Sequence, residues 1–221
     1  MPQKESYMSD MQVKAPRTEA VLDTNTNQVV TDTMISIAEN LIDVADCIDQ
    51  SSLDEFASML ISANRIFIMG AGRSGLVAKS FAMRLMHIGF QVYVVGEIIT
   101  PAVTAGDVVV AISGSGNTRT ISEFGEICKK LNVKLITVTS TKNSTLGRLS
   151  DLSVVIDGKQ KPSPGKEYME RQLRGNHKSL TPLGTLFELT AAVFLDAFIA
   201  KMMVLRGVDE SFLKQRHTVL E

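Results

Sequence analysis

The run Val108-Val109-Val110-Ala111-Ile112-Ser113-Gly114-Ser115-Gly116-Asn117-Thr118 constrains this chain more than any other stretch. Apolar residues lead without a break into glycines and hydroxyls, and a helical pattern follows from Arg119 to Lys130. That is the layout of a buried parallel strand, a tight turn and a helix N-terminus. Gly114 and Gly116 let a ligand approach the backbone, and the free N–H groups at a helix start suit an anion. Ser113, Ser115 and Thr118 add hydroxyl donors, whereas the loop itself carries no lysine or arginine, so a phosphate here is held by neutral donors. The plainer alternative is a serine-rich turn with an Asn or Thr cap. The strand before it and the helix after it favour the anion site.

The same layout occurs earlier. Arg65 to Met69 is a short apolar strand, Gly70-Ala71-Gly72-Arg73-Ser74-Gly75 a glycine loop, and Leu76 to Ile88 a helix. Further strands are expected at Gln91–Val95, Val133–Thr139 and Leu152–Ile156, with a short helix over Ser144–Leu149. Strand and helix in strict turn predict a five-stranded parallel sheet covered on both faces, an α/β three-layer sandwich of the flavodoxin-like, doubly wound kind. Two helices precede the alternation: Val29 to Asp49, and a second to about Ala63 opened by Ser51-Ser52-Leu53-Asp54-Glu55 with serine as its cap. Residues 1–28 lack apolar periodicity and are expected to form a mobile tail, leaving 29–221 as one domain. Asp157 to Ser179 reads as a long functional or mobile loop, and Thr181-Pro182 as the start of the longest helix, stopped by Gly207. That helix is apolar nearly all round, so a second subunit is expected to cover part of it.

Composition excludes several classes. Twenty-three basic and 24 acidic residues leave a net charge of −1, which points neither to nucleic acid nor to an anionic membrane. The run Leu180–Leu205 carries Glu188, Asp196 and Lys201, too many charges for a membrane span. No secretory leader is recognisable, so the cytoplasm is the expected compartment. Cys47 and Cys128 lie in helical patterns without metal-ligand spacing and read as buried free thiols. No histidine pair has zinc spacing, and neither metal nor cofactor is expected.

Candidate site residues follow from the loops. Gly72, Arg73 and Ser74 belong to the first, Ser113 to Thr118 to the second, and Glu97 ends the second strand. Gly70, Gly72 and Gly75 also spell the dinucleotide-binding GxGxxG, with Glu97 near the position of a ribose-binding acid, so a nicotinamide-binding module is a rival. The charged Arg73 and the second anion loop count against it. Glu188, midway in an apolar stretch, is either a buried acid paired to a cation or a general base with its pKa raised by burial. His87, His177 and His217 are each read first as core, turn and surface residues, and any one of them has the titration range of an acid–base catalyst. Arg84, Arg174 and Lys178 read as solvated charges.

The residues Gly-Ala-Gly-Arg-Ser-Gly, Val-Val-Gly-Glu and Ile-Ser-Gly-Ser-Gly-Asn-Thr resemble the sugar isomerase (SIS) domain family. Residues 80–90, Pro182-Leu183-Gly184-Thr185-Leu186-Phe187-Glu188 and Arg216-His217 are similar to its 6-phospho-3-hexuloisomerases. The resemblance implies interconversion of D-arabino-hex-3-ulose 6-phosphate and fructose 6-phosphate through a cis-enediolate, as in formaldehyde fixation by the ribulose monophosphate route. It also implies a homotetramer with active sites between subunits and a phosphorylated ketose as substrate. In that reading Ser113, Ser115, Thr118 and Ser74 grip phosphate with the backbone amides of Gly114, Ser115, Gly116, Asn117 and Thr118. Glu188 is the base, His217 works on the sugar oxygens with His87 as its substitute, and Arg73 and Glu97 orient hydroxyls. An arabinose 5-phosphate isomerase and a non-catalytic sugar-phosphate regulator are the alternatives.

Overall fold

Side chains along a strand alternate between the two faces of a sheet, and the apolar runs of this chain use both. In the computed structural model, which describes residues 28–157 and 184–217, five strands form one sheet. They are β1 (Ile66–Gly70), β2 (Val92–Val94), β3 (Val108–Ile112), β4 (Lys134–Thr139) and β5 (Leu152–Val155). All pairings are parallel, and the order is β2-β1-β3-β4-β5. Every residue of β3 is buried, as a central strand covered on both sides requires.

One face carries Ile66, Ile68, Val108, Val110, Ile112, Ile136 and Val138, packed against α1 (Val29–Cys47), α2 (Gln50–Ser62), α3 (Arg73–His87) and α6 (Thr185–Arg206). The other carries Phe67, Met69, Val109, Ala111 and Leu135, packed against α4 (Arg119–Lys130) and α5 (Thr145–Leu149). The expected α/β three-layer architecture is therefore present. On the first face Phe56 of α2 stacks on Phe198 of α6 with ring centroids 4.2 Å apart, and Asn40 of α1 donates to Thr190 of α6 at 2.8 Å. A short helix α7 (Glu210–Arg216) follows, capped by Asp209, whose carboxylate accepts from the Phe212 amide.

The structure moves several sequence-based boundaries. Helix α3 begins at Arg73 rather than Leu76, so Arg73 and Ser74 sit in its first turn and the first glycine loop is only Ala71 and Gly72. The close approach explains the glycines: a β-carbon on Gly70 would stand 2.7 Å from the Ser74 carbonyl oxygen, and one on Gly75 would stand 2.9 Å from the Gly70 oxygen. Helix α2 is capped by Asp49, not by a serine; its carboxylate accepts from the Ser51 amide and from the Ser52 hydroxyl. Cys128 is buried as expected, and burial pushes its thiol up to about 11, but Cys47 is exposed at the end of α1. Gly207, in the left-handed conformation, ends α6 as expected. The expected tail but for Gln28, the loop histidine His177 with Arg174 and Lys178, and the Thr181-Pro182 helix start all lie outside the described residues. Helix α6 leaves Leu189, Val193, Val204 and Leu205 exposed while its opposite side is core. Among the described residues, no helix is long and apolar enough to cross a membrane.

At the amino edge, Arg65 makes a two-pronged bond to the buried Asp107, with Nη2–Oδ2 at 2.6 Å and Nε–Oδ1 at 3.0 Å, and the Thr104 amide adds a third at 2.8 Å. This cluster registers the start of β1 against the start of β3. Burial alone would raise the Asp107 pKa, but the hydrogen bonds from Arg65 and Thr104 hold it below the ordinary 3.8. The stabilisation is therefore present above the ordinary carboxylate range and is lost as pH falls through the lowered folded-state value. Asp107→Asn should cost about 2 kcal/mol. Thermal melts should show its deficit at neutral pH narrowing toward pH 3; a deficit that does not change with pH would contradict this account.

Candidate active site

In a doubly wound sheet the chain leaves the first strand in one direction and later returns to its other side. Here β2 lies on one side of β1 and β3 on the other, so the outgoing chains of β1 and β3 separate to opposite faces and leave a crevice at their carboxyl ends. A cleft of about 390 Å³ occupies that place, formed by Ala71 and Ser74 after β1, Ile112 to Ser115 and Thr118 after β3, Ser140 after β4, and Gly184, Phe187 and Glu188 from the start of α6.

The β3–α4 loop is tied down from beneath. The Ser140 amide and the Thr139 hydroxyl both donate to the Gly114 carbonyl, at 3.0 and 3.1 Å, and the Leu146 amide donates to the Gly116 carbonyl at 2.9 Å. Gly116 has φ +60°, and a β-carbon there would collide with the Ser144 hydroxyl, so only glycine fits. Asn117 was expected to face a ligand. Its side chain instead accepts from the amide and hydroxyl of Thr145, at 2.9 and 3.0 Å, and so fastens the loop to α5. With the Gly114 and Gly116 carbonyls bonded downward, Ser113, Gly114, Ser115 and Thr118 line the cleft, while the amides of Gly116 and Asn117 are used within the loop, donating at 3.2 Å to the Ser113 carbonyl and the Ser115 hydroxyl. Thr118, the N-cap of α4, makes no capping bond with its side chain; its hydroxyl lies 3.3 Å from that of the buried Ser113. The first amides of any helix lack intrahelical partners and lie at the positive end of its dipole. Both α3, through Ser74, and α4 open onto the cleft in this way, the arrangement an anion requires.

Glu188 projects into the same cleft with its side chain 15% exposed. Its Oε2 stands 2.7 Å from Arg73 Nε, at an angle that forms no hydrogen bond, and is otherwise buried. The carboxylate folds back over the N-cap of its own helix: a β-carbon on Gly184 would stand 3.0 Å from Oε1, and Gly184 has φ +82°. Glu188 is thus an acid paired to a cation, and it also lines the cavity.

The other candidates are not brought together in one chain. Glu97 pairs with Lys79 of α3 at 2.6 Å and does not line the cleft. His87 is buried at the far end of α3, and His217 stacks on it with centroids 5.3 Å apart. At the rise of an α-helix His87 stands about 20 Å from Arg73. Sequence reading missed Ser140, Phe187 and Ala71. Ser140 carried a usable signal, a hydroxyl at the carboxyl end of a parallel strand, whereas Phe187 looks in sequence like any core residue. Among the described residues no three His, Cys, Asp or Glu side chains cluster as metal ligands would.

Fold and cleft together define a class, and the comparisons name it: the SIS domain model matches residues 59–167, and the chain belongs to the SIS domain family. Within it, the chain is 38% identical to the 3-hexulose-6-phosphate isomerase of Bacillus subtilis over 86% of its own length and 98% of that protein. An uncharacterised Aeropyrum pernix protein is 44% identical over 90% of this chain and 96% of its own. A solved Methanococcus jannaschii structure, from which a 3-hexulose-6-phosphate isomerase function was inferred, is 32% identical with TM-score 0.72, covering 86% of this chain and 99% of that one.

The cleft generates one prediction of its own. Asn117→Ala should leave the fold intact but free the loop from α5, weakening inorganic phosphate binding by about fivefold, roughly 1 kcal/mol. Calorimetric titration would read this, and unchanged affinity would remove Asn117 from the support of the anion site.

Proposed function

We propose that this chain is a 3-hexulose-6-phosphate isomerase, interconverting D-arabino-hex-3-ulose 6-phosphate and D-fructose 6-phosphate. The observation that carries the reading is the Glu188 carboxylate facing, across one cleft, a helix-start loop of hydroxyls and amides. The isomerase relatives named above support it at the level of the family.

The reaction moves a carbonyl from C3 to C2. A base takes the proton from C2, leaving an enediolate across C2 and C3; a proton returns to C3, and the oxygens exchange one proton. Atoms and electrons balance without an oxidant or reductant, so no redox cofactor is required. Ser113, Ser115, Thr118 and Ser74 with the loop amides grip the phosphate, which holds the reacting carbons in place. Glu188 is the proton carrier. Arg73, half-exposed at 53%, has a guanidinium beside that carboxylate and in reach of the developing oxyanion. His217 is the proposed acid–base group for the sugar oxygens, and, stacked on His87 at the far end of α3, it stands too far away to serve its own cleft. It would act in the cleft of another copy, with the exposed apolar side of α6 buried in a homotetramer. The reading places the protein in the ribulose monophosphate pathway, in the cytoplasm.

Glu188→Gln should abolish turnover, by at least a thousandfold, while fructose 6-phosphate still binds by calorimetry; retained rate rejects Glu188 as the base. Ser115→Ala should raise KM several-fold with little change in kcat, a shift of about 1 kcal/mol, in a coupled assay for fructose 6-phosphate. Turnover of arabinose 5-phosphate in place of the hexulose phosphate would move the assignment to that isomerase.

A further inference from the structure

Phe187 lines the cleft beside Glu188 and rests against the anion loop at Gly114. Gly114 lacks a side chain where the ring lies: a β-carbon there would stand 2.9 Å from both Cγ and Cδ1 of Phe187. The loop cannot retreat, because the Gly114 carbonyl is held by Ser140 and Thr139. Nor can the ring move freely away, since it also packs against the core that includes α3 and α6. Phe187 and Glu188 are successive residues in the first turn of α6. The ring therefore sets how far the carboxylate stands from the bound phosphate.

That distance selects which carbons react. In fructose 6-phosphate the C2–C3 pair is closer to the phosphorylated end than the C1–C2 pair by one carbon. Proton removal from C3 leads to the 3-ulose. Removal from C1 gives a C1–C2 enediolate, and return of the proton to C2 gives an aldose 6-phosphate. The two reactions need the same chemistry and the same base, and they differ in reach alone. We propose that Phe187 is a regiochemical spacer: resting on Gly114, it holds Glu188 over C2 and C3 and keeps C1 out of reach. It is a positioning residue, and the proposal rests on the isomerase reading above. Without the ring, the sugar chain can buckle into the vacated space and bring C1 under the carboxylate.

The test uses the full chain with fructose 6-phosphate in deuterated water, following label at C3 and C1 and any aldose 6-phosphate by NMR. Wild-type protein should label C3 and form the hexulose without labelling C1. Phe187→Ala should lower the C3-to-C1 label ratio at least tenfold and yield aldose 6-phosphate, and Phe187→Leu should restore part of the ratio. Gly114→Ala, which must displace the ring, supplies the same readout should Phe187→Ala fail to fold. Loss of C3 exchange in these variants with no gain at C1 would show that the ring only packs, overturning the proposal. Wild-type protein that labels neither carbon and forms no product would overturn the isomerase reading itself, and the spacer with it.

Discussion

The structure depends on one geometric constraint, the parting of two parallel strands that lie side by side. β1 and β3 are hydrogen-bonded along their length, from Ile66 opposite Val108 to Gly70 opposite Ile112. Yet α3 packs on one face of the sheet and α4 on the other. Two adjacent chains that diverge must leave a gap, and the peptide dipoles of both outgoing helices point their positive ends into it. The cleft is thus a consequence of topology before any side chain is considered. The Arg65–Asp107 cluster at the opposite edge fixes the register of the same two strands, so the geometry of the gap is held from its far end.

Side chains then make the gap selective. Glycines at 70 and 75 let the first turn of α3 lie directly on the end of β1, which brings Ser74 and Arg73 to the rim. Bonds from the β3–α4 loop to β4 and α5 hold it in place, with Ser113, Ser115 and Thr118 lining the cleft. Helix α6, packed beside α3 on the same face, delivers Glu188 from a third direction and meets Arg73 there. A neutral-donor anion pocket facing a single ion-paired carboxylate is suited to proton transfer on a phosphorylated substrate. The family to which the chain belongs is consistent with that chemistry.

Much of this was legible in the chain. The strands announced themselves as unbroken apolar runs because a parallel strand covered on both faces has no polar side. The anion loop announced itself because backbone that must approach a ligand needs glycine. Asn117 shows the limit of such reading: it sits amid cleft-lining hydroxyls in sequence, but its side-chain amide is committed to Thr145, a contact across 28 residues. Phe187 shows the converse, a residue of unremarkable type whose importance comes from the space left by Gly114. Glu97 likewise read as a site acid from its place at a strand end, and an ion pair with Lys79 takes it in the isolated chain.

By itself, then, the sequence determined the order of elements, the sheet type and the two loops that line the cleft, since these follow from hydrophobic periodicity and local backbone freedom. Only the tertiary structure decided which acid faces which cation, that His217 stacks on His87 at the far end of α3, and that Glu188 shares a cleft with the β3–α4 loop. Those are distances between residues far apart in the chain, fixed by how helices pack on a sheet, and no local pattern encodes them.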